Sequence, residues 1–361
     1  MIIKLLYIFK RREKLISLIC VGDINLKFRD NLIFEKEIVE IFKKGNLKFG
    51  NLETVVSELG GIPESKAFNF KVKIEKLKLL KELEFDVLNI ANNHTLDFGE
   101  ELKKDTKKNI LEENIKVIGE NINNNYDIEI FKVKEKNIAF LGIDITEIKD
   151  KVKILETIRE VKSKVDYLIF SIHWGIELCY SPTINQRKLA YQLIDNGVDI
   201  ILGHHPHVIQ GIEKYKKGII LYSLGNFQFK LEEKIIDLNQ YTNIFKLKIT
   251  EEKIEVETYP VFIQEDGNPT VKLNEKQKIR HKEIQEKCQE YIENLNYFNI
   301  LKEMSNYPMK QHLIAWKKRK QKKEKNYYLK KIRWFISPKN FVVFFLYLIR
   351  EIFIGVKNGD N

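Results

Sequence analysis

A recurrent unit constrains this chain more than anything else: a short β-branched apolar run, a cluster of polar residues, then a longer amphipathic stretch. The runs Leu15 to Val21, Val87 to Ile90, Ile138 to Ile143, Tyr167 to Ile172 and Ile200 to Leu202 have the length and composition of buried strands. Amphipathic stretches alternate with them over Phe34 to Phe42, Glu100 to Glu113, Val152 to Ser163 and Asn185 to Asn196. Such alternation predicts an α/β layered domain with ligands at the carboxyl ends of the strands, where the polar clusters fall. Beyond Gly218 the runs Ile219 to Ser223, Asn243 to Ile249 and Lys253 to Pro260 follow without helices between them, which reads as a closing antiparallel layer. From about Asn274 the sequence is charged and helical. We therefore expect a domain over 16–270 and a charged helical extension over 271–361.

The net charge of +11 sharpens this division. Residues 1 to 309 hold 48 basic and 48 acidic side chains, whereas residues 310 to 333 hold eleven basic ones against Glu324 alone. The excess belongs to one basic segment, 310–333, beside Trp334 and an apolar segment over 341–356. Arg350 and Glu351 interrupt that apolar segment, and it falls short of the about 20 residues a spanning helix needs. Two expectations follow. Either the segment packs on its own domain, or its aromatic side chains and the neighbouring Lys and Arg meet an anionic membrane surface. No nucleic-acid motif accompanies the basic run, so no nucleic-acid partner is expected. The amino terminus places Lys10, Arg11 and Arg12 after its short apolar run, the reverse of a signal peptide. Three scattered cysteines, Cys20, Cys179 and Cys288, argue against a disulfide framework. The expected location is cytoplasmic, with peripheral attachment at the inner face of the membrane.

Five motifs follow the strand-like runs: Val21-Gly22-Asp23-Ile24-Asn25, Gly50-Asn51-Leu52-Glu53-Thr54, Asn89 through Asn92-Asn93-His94 to Asp97-Phe98-Gly99, Ser171-Ile172-His173-Trp174-Gly175-Ile176-Glu177, and Gly203-His204-His205-Pro206-His207. Five of the seven histidines lie in them. Imidazoles and carboxylates together suit Mn, Fe or Zn, and the chain offers no thiolate cluster as an alternative. Asp23 and Glu53 supply charge, Asn93 supplies an amide oxygen, and a carboxylate shared by two divalent ions could hold them about 3.5–4 Å apart. Pro206 stiffens the turn that presents His205 and His207. Asn92 reads as a turn residue, Asp97 as a turn residue or a partner of a histidine, and Trp174 equally as substrate contact or packing. Gly22, Gly203 and Gly225 are expected where backbone approaches closely, and Asn226 either in the pocket or in a turn.

This set resembles the CapA family of capsule and poly-γ-glutamate synthesis proteins, within the calcineurin-like metallophosphoesterase superfamily. The likeness runs over roughly residues 16 to 265 and includes Tyr222-Ser223-Leu224-Gly225-Asn226-Phe227. It implies a layered β-sandwich flanked by helices and a divalent-metal site, with two ions expected. By motif, Asp23, Asn25, Glu53, Asn93, His173, His205 and His207 would be the ligands, with Asp23 also catalytic. His94 would be the acid or phosphate-contacting histidine, and His204 sits where the family varies. Asn25 stands where ordinary metallophosphoesterases carry a histidine, and Glu53 where they carry Asp; both changes are usual among CapA-like chains.

The resemblance implies a phosphoesterase or other hydrolase in which a metal-bound hydroxide attacks phosphorus and His94 protonates the leaving oxygen. Its substrate would be a phosphoester or an anionic envelope polymer, cleaved at phosphorus or at an amide. The alternative is a non-enzymatic, membrane-associated component of a polymer synthesis or export complex whose metal site is structural or binds the chain.

Overall fold

The computed structural model describes residues 15–27, 33–66, 68–122, 125–145, 151–230, 239–305, 309, 313, 340 and 342–347. The first third of the chain supplies β1 (Ile16–Ile24), β2 (Leu47–Leu52), β3 (Val55–Val56), β4 (Lys71–Val72), β5 (Val87–Asn89) and β6 (Lys116–Ile118). Next come β7 (Asn121–Ile122), β8 (Asn125–Tyr126), β9 (Ile128–Val133), β10 (Lys136–Asp144), β11 (Tyr167–His173) and β12 (Ile200–His204). The series closes with β13 (Ile212–Tyr215), β14 (Gly218–Leu221), β15 (Asn226–Gln228), β16 (Tyr241–Ile249), β17 (Ile254–Ile263) and β18 (Pro269–Thr270).

Two sheets face each other. One runs β18-β17-β16-β1-β2-β5-β6 with β15 alongside the end of β1, and the other runs β13-β14-β12-β11-β10-β9. The apolar runs that read as buried strands are buried on both faces. Leu18 and Cys20 of β1 meet Ile138 and Phe140 of β10 in the central cluster, where the rings of Phe49 and Phe140 stack at 6.0 Å. The alternate residues Ile19 and Val21 pack outward on Ile38 and Phe42 of the helix Lys36–Phe42. On the far side Ala139 and Leu141 pack on Ile154 and Ile158 of the helix Lys151–Lys162 and on Leu193 of the helix Ile184–Asp195. The result is the expected sandwich flanked by helices, and it explains why these strands read as continuous apolar runs.

The closing layer differs from expectation in one respect. β16 and β17 are antiparallel, as read, and extend the first sheet beside β1. Ile219 to Ser223 does not join them; Ile219 to Leu221 lie in β14, parallel to β12 in the second sheet. The crossover between those parallel strands is made by the 205–217 loop and β13, antiparallel to β14, instead of by a helix, so no amphipathic stretch marks it.

Helix Glu275–Glu293, opened by a capping box of Asn274 and Gln277, buries Ile284 and Cys288 in the central cluster. All three cysteines are buried, and none is joined in a disulfide among the described residues. Of the apolar segment 341–356, residues 342–347 are described; Val343 is buried beside Ile300, Leu301 and Met304, while Phe345 is exposed. The basic segment 310–333 lies outside the described residues apart from Leu313, and the amino-terminal run before Leu15 lies outside them too. Among the described residues no helix is long and apolar enough to cross a membrane.

Candidate metal centre

The carboxyl ends of β1, β2 and β5 lie in register, with Asp23 opposite Asn51 and Asn51 opposite Asn89. Their side chains form a buried chain of amides. Asn51 Nδ2 donates to Asp23 Oδ1 at 2.8 Å, and Asn89 Nδ2 donates to Asn51 Oδ1 at 2.8 Å. Fully buried polar side chains of this kind persist only when satisfied, and here each amide fixes the next until the last fixes Asp23. Backbone proximity completes the hold: the Asp23 N–H donates to Gly225 O at 2.9 Å. A Cβ on Gly22 would sit 1.9 Å from that same oxygen, and one on Gly203 would sit 2.0 Å from Tyr222 O. Both glycines therefore serve the close approaches expected of them.

The second sheet brings imidazoles to the same place. His204, at the end of β12, sets Nδ1 3.2 Å from Asp23 Oδ1. His205 and His207 follow with positive φ values of 94° and 58°, a backbone conformation that non-glycine residues seldom hold outside functional sites. His207 places Nδ1 2.9 Å from Asn226 Oδ1 and 3.1 Å from Asp23 Oδ2, which turns Nε2 toward Glu53 Oε1 at 3.7 Å. From β11, His173 sets Nε2 4.0 Å from Glu53 Oε1, with its ring 4.7 Å from that of His205. His94 approaches Glu53 Oε1 at 3.8 Å through Nε2, while its Nδ1 lies 2.8 Å from Asp97 Oδ2 and its ring stacks on Phe70 at 4.2 Å.

Glu53 is the centre of this arrangement. It is fully buried, and neither carboxylate oxygen has a hydrogen-bond partner. Both ring nitrogens of His173, Nδ1 of His205 and Nε2 of His204 are likewise unpartnered. So many orphaned donor atoms around one carboxylate are costly unless a cation satisfies them. Asp23, Glu53 and His207 each offer one ligand atom, all within 4.8 Å of one another. This donor set fits a divalent cation of the imidazole and carboxylate class.

The electrostatics agree. Burial pushes the Glu53 carboxyl well above its usual range, and the Asp23 charge adds to the effect while His207 opposes it. Burial would raise Asp23 as well, but hydrogen bonds from His204 and His207 outweigh it and hold that carboxyl well below the usual range. His207 is held up to about 10: burial opposes its charge, and Glu53 and Asp23 overcome burial. Burial keeps His173 and His205 down, so both are neutral and free to coordinate.

The expected residues do not all fall together. Asp23, Glu53, His173, His205 and His207 converge, with His94 at their edge. Asn25 is spent on backbone, its Oδ1 accepting the Lys27 and Lys230 amides and its Nδ2 donating to Lys230 O. Asn93 is exposed, whereas Asn92 is buried and donates to Leu52 O at 2.8 Å. Trp174 is packing: it is buried and its indole N–H donates to Tyr222 O. Sequence reasoning missed Asn51 and Asn89 as supports of Asp23, although period-2 alternation puts Asn51 and Glu53 on one face. It missed Lys66, whose ammonium pairs with Asp97, because no motif surrounds it.

Comparison with known proteins places the chain. The model of the bacterial capsule synthesis protein PGA_cap matches residues 17–231, which include every residue of the cluster. The "PGA biosynthesis protein CapA" of Bacillus subtilis is 34% identical over 207 residues, 52% of this chain and 54% of its own. The "Capsule biosynthesis protein CapA" of Bacillus anthracis is 35% identical over 184 residues, 45% of each chain. The chain thus spans about half the length of the curated relatives it matches. A solved structure of a hypothetical protein from Thermus thermophilus shares 12% identity over 68% of this chain and 98% of its own, with a TM-score of 0.46. By the family match over residues 17–231, this chain belongs to the PGA_cap family of bacterial capsule synthesis proteins.

Proposed function

We propose that this chain serves the synthesis of an anionic envelope polymer, poly-γ-glutamate or capsular polysaccharide, as a metal-dependent hydrolase of phosphoesterase type. Family membership and the names of the CapA relatives support the polymer. The observation that carries the hydrolase reading is Glu53, buried without a hydrogen-bond partner and faced by imidazole nitrogens at 3.7 to 4.0 Å.

Asp23, Glu53, His173, His205 and His207 would hold the metal, of the Mn, Fe or Zn class. When bound, it supplies positive charge that polarises a phosphoryl or carbonyl oxygen and offsets charge developing there. The amide chain from Asn89 through Asn51 keeps Asp23 in place. His94, oriented through Nδ1 by Asp97, presents Nε2 to the same space and moves the proton at that atom. The test is turnover of a generic phosphodiester and monoester with added manganese. Activity lost in His94→Ala and Asp23→Ala supports the reading, and wild-type turnover no higher than theirs removes it.

Asn25 favours a second reading. Its amide is committed to Lys27 and Lys230 where an imidazole ligand would otherwise stand, which suits a site that binds an anionic chain without cleaving it. Metal-dependent stabilisation with no hydrolysis of phosphoester or polyglutamate would favour that scaffold. On either reading we place the chain at the cytoplasmic face of the membrane, attached through its basic carboxyl-terminal segment.

A further inference from the structure

We propose that Lys66 is a positioning residue for His94, acting through Asp97; the inference rests on the hydrolase reading above for its kinetic arm only. The loop before β4 is strapped to the turn that carries His94. Phe70 N–H donates to Asp97 Oδ2 at 2.5 Å, and Glu64 N–H donates to Asp97 O at 2.8 Å. Lys66 closes the strap twice: its ammonium donates to the Asn93 carbonyl at 2.5 Å and pairs with Asp97 Oδ1.

The two oxygens of Asp97 therefore have separate duties. Oδ2 takes the Phe70 amide and His94 Nδ1, at 2.8 Å, while Oδ1, which accepts no hydrogen bond, is ion-paired with the Lys66 ammonium. A carboxylate held at one oxygen alone can rotate about its terminal bond; held at both, it presents a fixed acceptor to the imidazole. That acceptor decides which His94 nitrogen carries the proton directed at Asp97 and aims the other at Glu53, 3.8 Å away. The Lys66 side chain is 27% exposed while Asp97 is fully buried. Exchange at Lys66 thus removes a partner at the rim without opening the core.

The experiment uses the full chain in three forms, wild type, Lys66→Met and Lys66→Arg. In protein without added metal, the His94 Nδ1–H resonance is followed by nitrogen-15 NMR and assigned by its loss in His94→Gln. We expect a slowly exchanging, downfield signal in wild type, lost in Lys66→Met and restored in Lys66→Arg. With manganese and bis(p-nitrophenyl) phosphate, Lys66→Met is expected to lower kcat roughly 10- to 100-fold with little change in KM, and Lys66→Arg to recover most of it. Unchanged resonance in Lys66→Met, or Lys66→Arg as impaired as Lys66→Met, would overturn the assignment. If wild type shows no turnover, the hydrolase reading fails while the resonance still decides the role of Lys66.

Discussion

Glu53 Oε1 lies 3.7 Å from His207 Nε2, and neither oxygen of that buried carboxylate accepts a hydrogen bond. A carboxylate so placed destabilises the fold by itself and becomes an asset only when a cation joins it to the imidazoles around it. On the proposed metal-site reading, the affinity for the cation and the pH response of the fold both turn on that relationship.

Glu53→Gln keeps the shape and removes the charge. Manganese at 100 times its Kd should stabilise wild type by about 2.7 kcal/mol, by mass action on the folded state. In Glu53→Gln this increment should vanish, while the metal-free melting temperature stays level or rises. Differential scanning fluorimetry with and without manganese reads both quantities.

Stability without metal should fall as pH rises. Glu53 is raised well above 4.5, first by burial, and His207 is raised from 6.5 to about 10 by Glu53 and Asp23 against burial. The folded chain therefore holds protons that the unfolded chain has released. The contribution of these two groups is complete below the unfolded values and drains away as pH climbs through the folded ones. Asp23, shifted the other way, loses its contribution only on acidification below 3.8. Metal binding displaces the retained protons, so the stabilisation by manganese should grow between about pH 6 and pH 9. Melting curves of wild type minus those of Glu53→Gln isolate the effect. A manganese increment independent of pH would contradict it.

The convergence of these side chains was largely legible in the sequence because each lies at or just beyond the end of a strand. Asp23, Glu53, His173, His205 and His207 follow apolar runs that are buried on both faces, and parallel pairing brings those ends to one side. The supporting residues were harder to read. Asn51 and Asn89 act through cross-strand register, which a single strand does not display, and Lys66 acts from a loop without periodicity. Motif likeness assigned Asn93 to the site and Asn92 to the turn, whereas the turn geometry buries Asn92 and leaves Asn93 exposed. β14 was misplaced because a hairpin strand, not a helix, carries its crossover.

Gly22→Ala should be severely destabilising despite its small size. The added Cβ would meet Gly225 O at 1.9 Å, in the strap that holds the Asp23 amide. Overpacking of this type costs about 1–3 kcal/mol and occasionally more, and backbone oxygen yields less readily than a side chain. Urea unfolding monitors the loss. Gly60→Ala, where nothing lies within 4 Å of the added carbon, serves as the neutral comparison.

The carboxyl-terminal segment should bind anionic lipid. Vesicles containing phosphatidylserine should float the full chain, and salt should weaken recovery, since each basic residue near such a surface contributes about 1 kcal/mol. Replacing Lys317, Lys318, Lys320, Lys322 and Lys323 by Gln removes charge from the +10 segment without altering Met309 or Val343, which pack on the domain. Recovery of both forms alike would contradict membrane attachment through this segment.

The most direct test of the central claim is the metal content of the protein purified without added metal or chelator, wild type beside Glu53→Gln, by inductively coupled plasma mass spectrometry. Stoichiometric Mn, Fe or Zn is expected in wild type, and its loss in Glu53→Gln with the fold retained. Wild-type protein that stays free of divalent transition metal even after incubation with manganese, iron and zinc would contradict it.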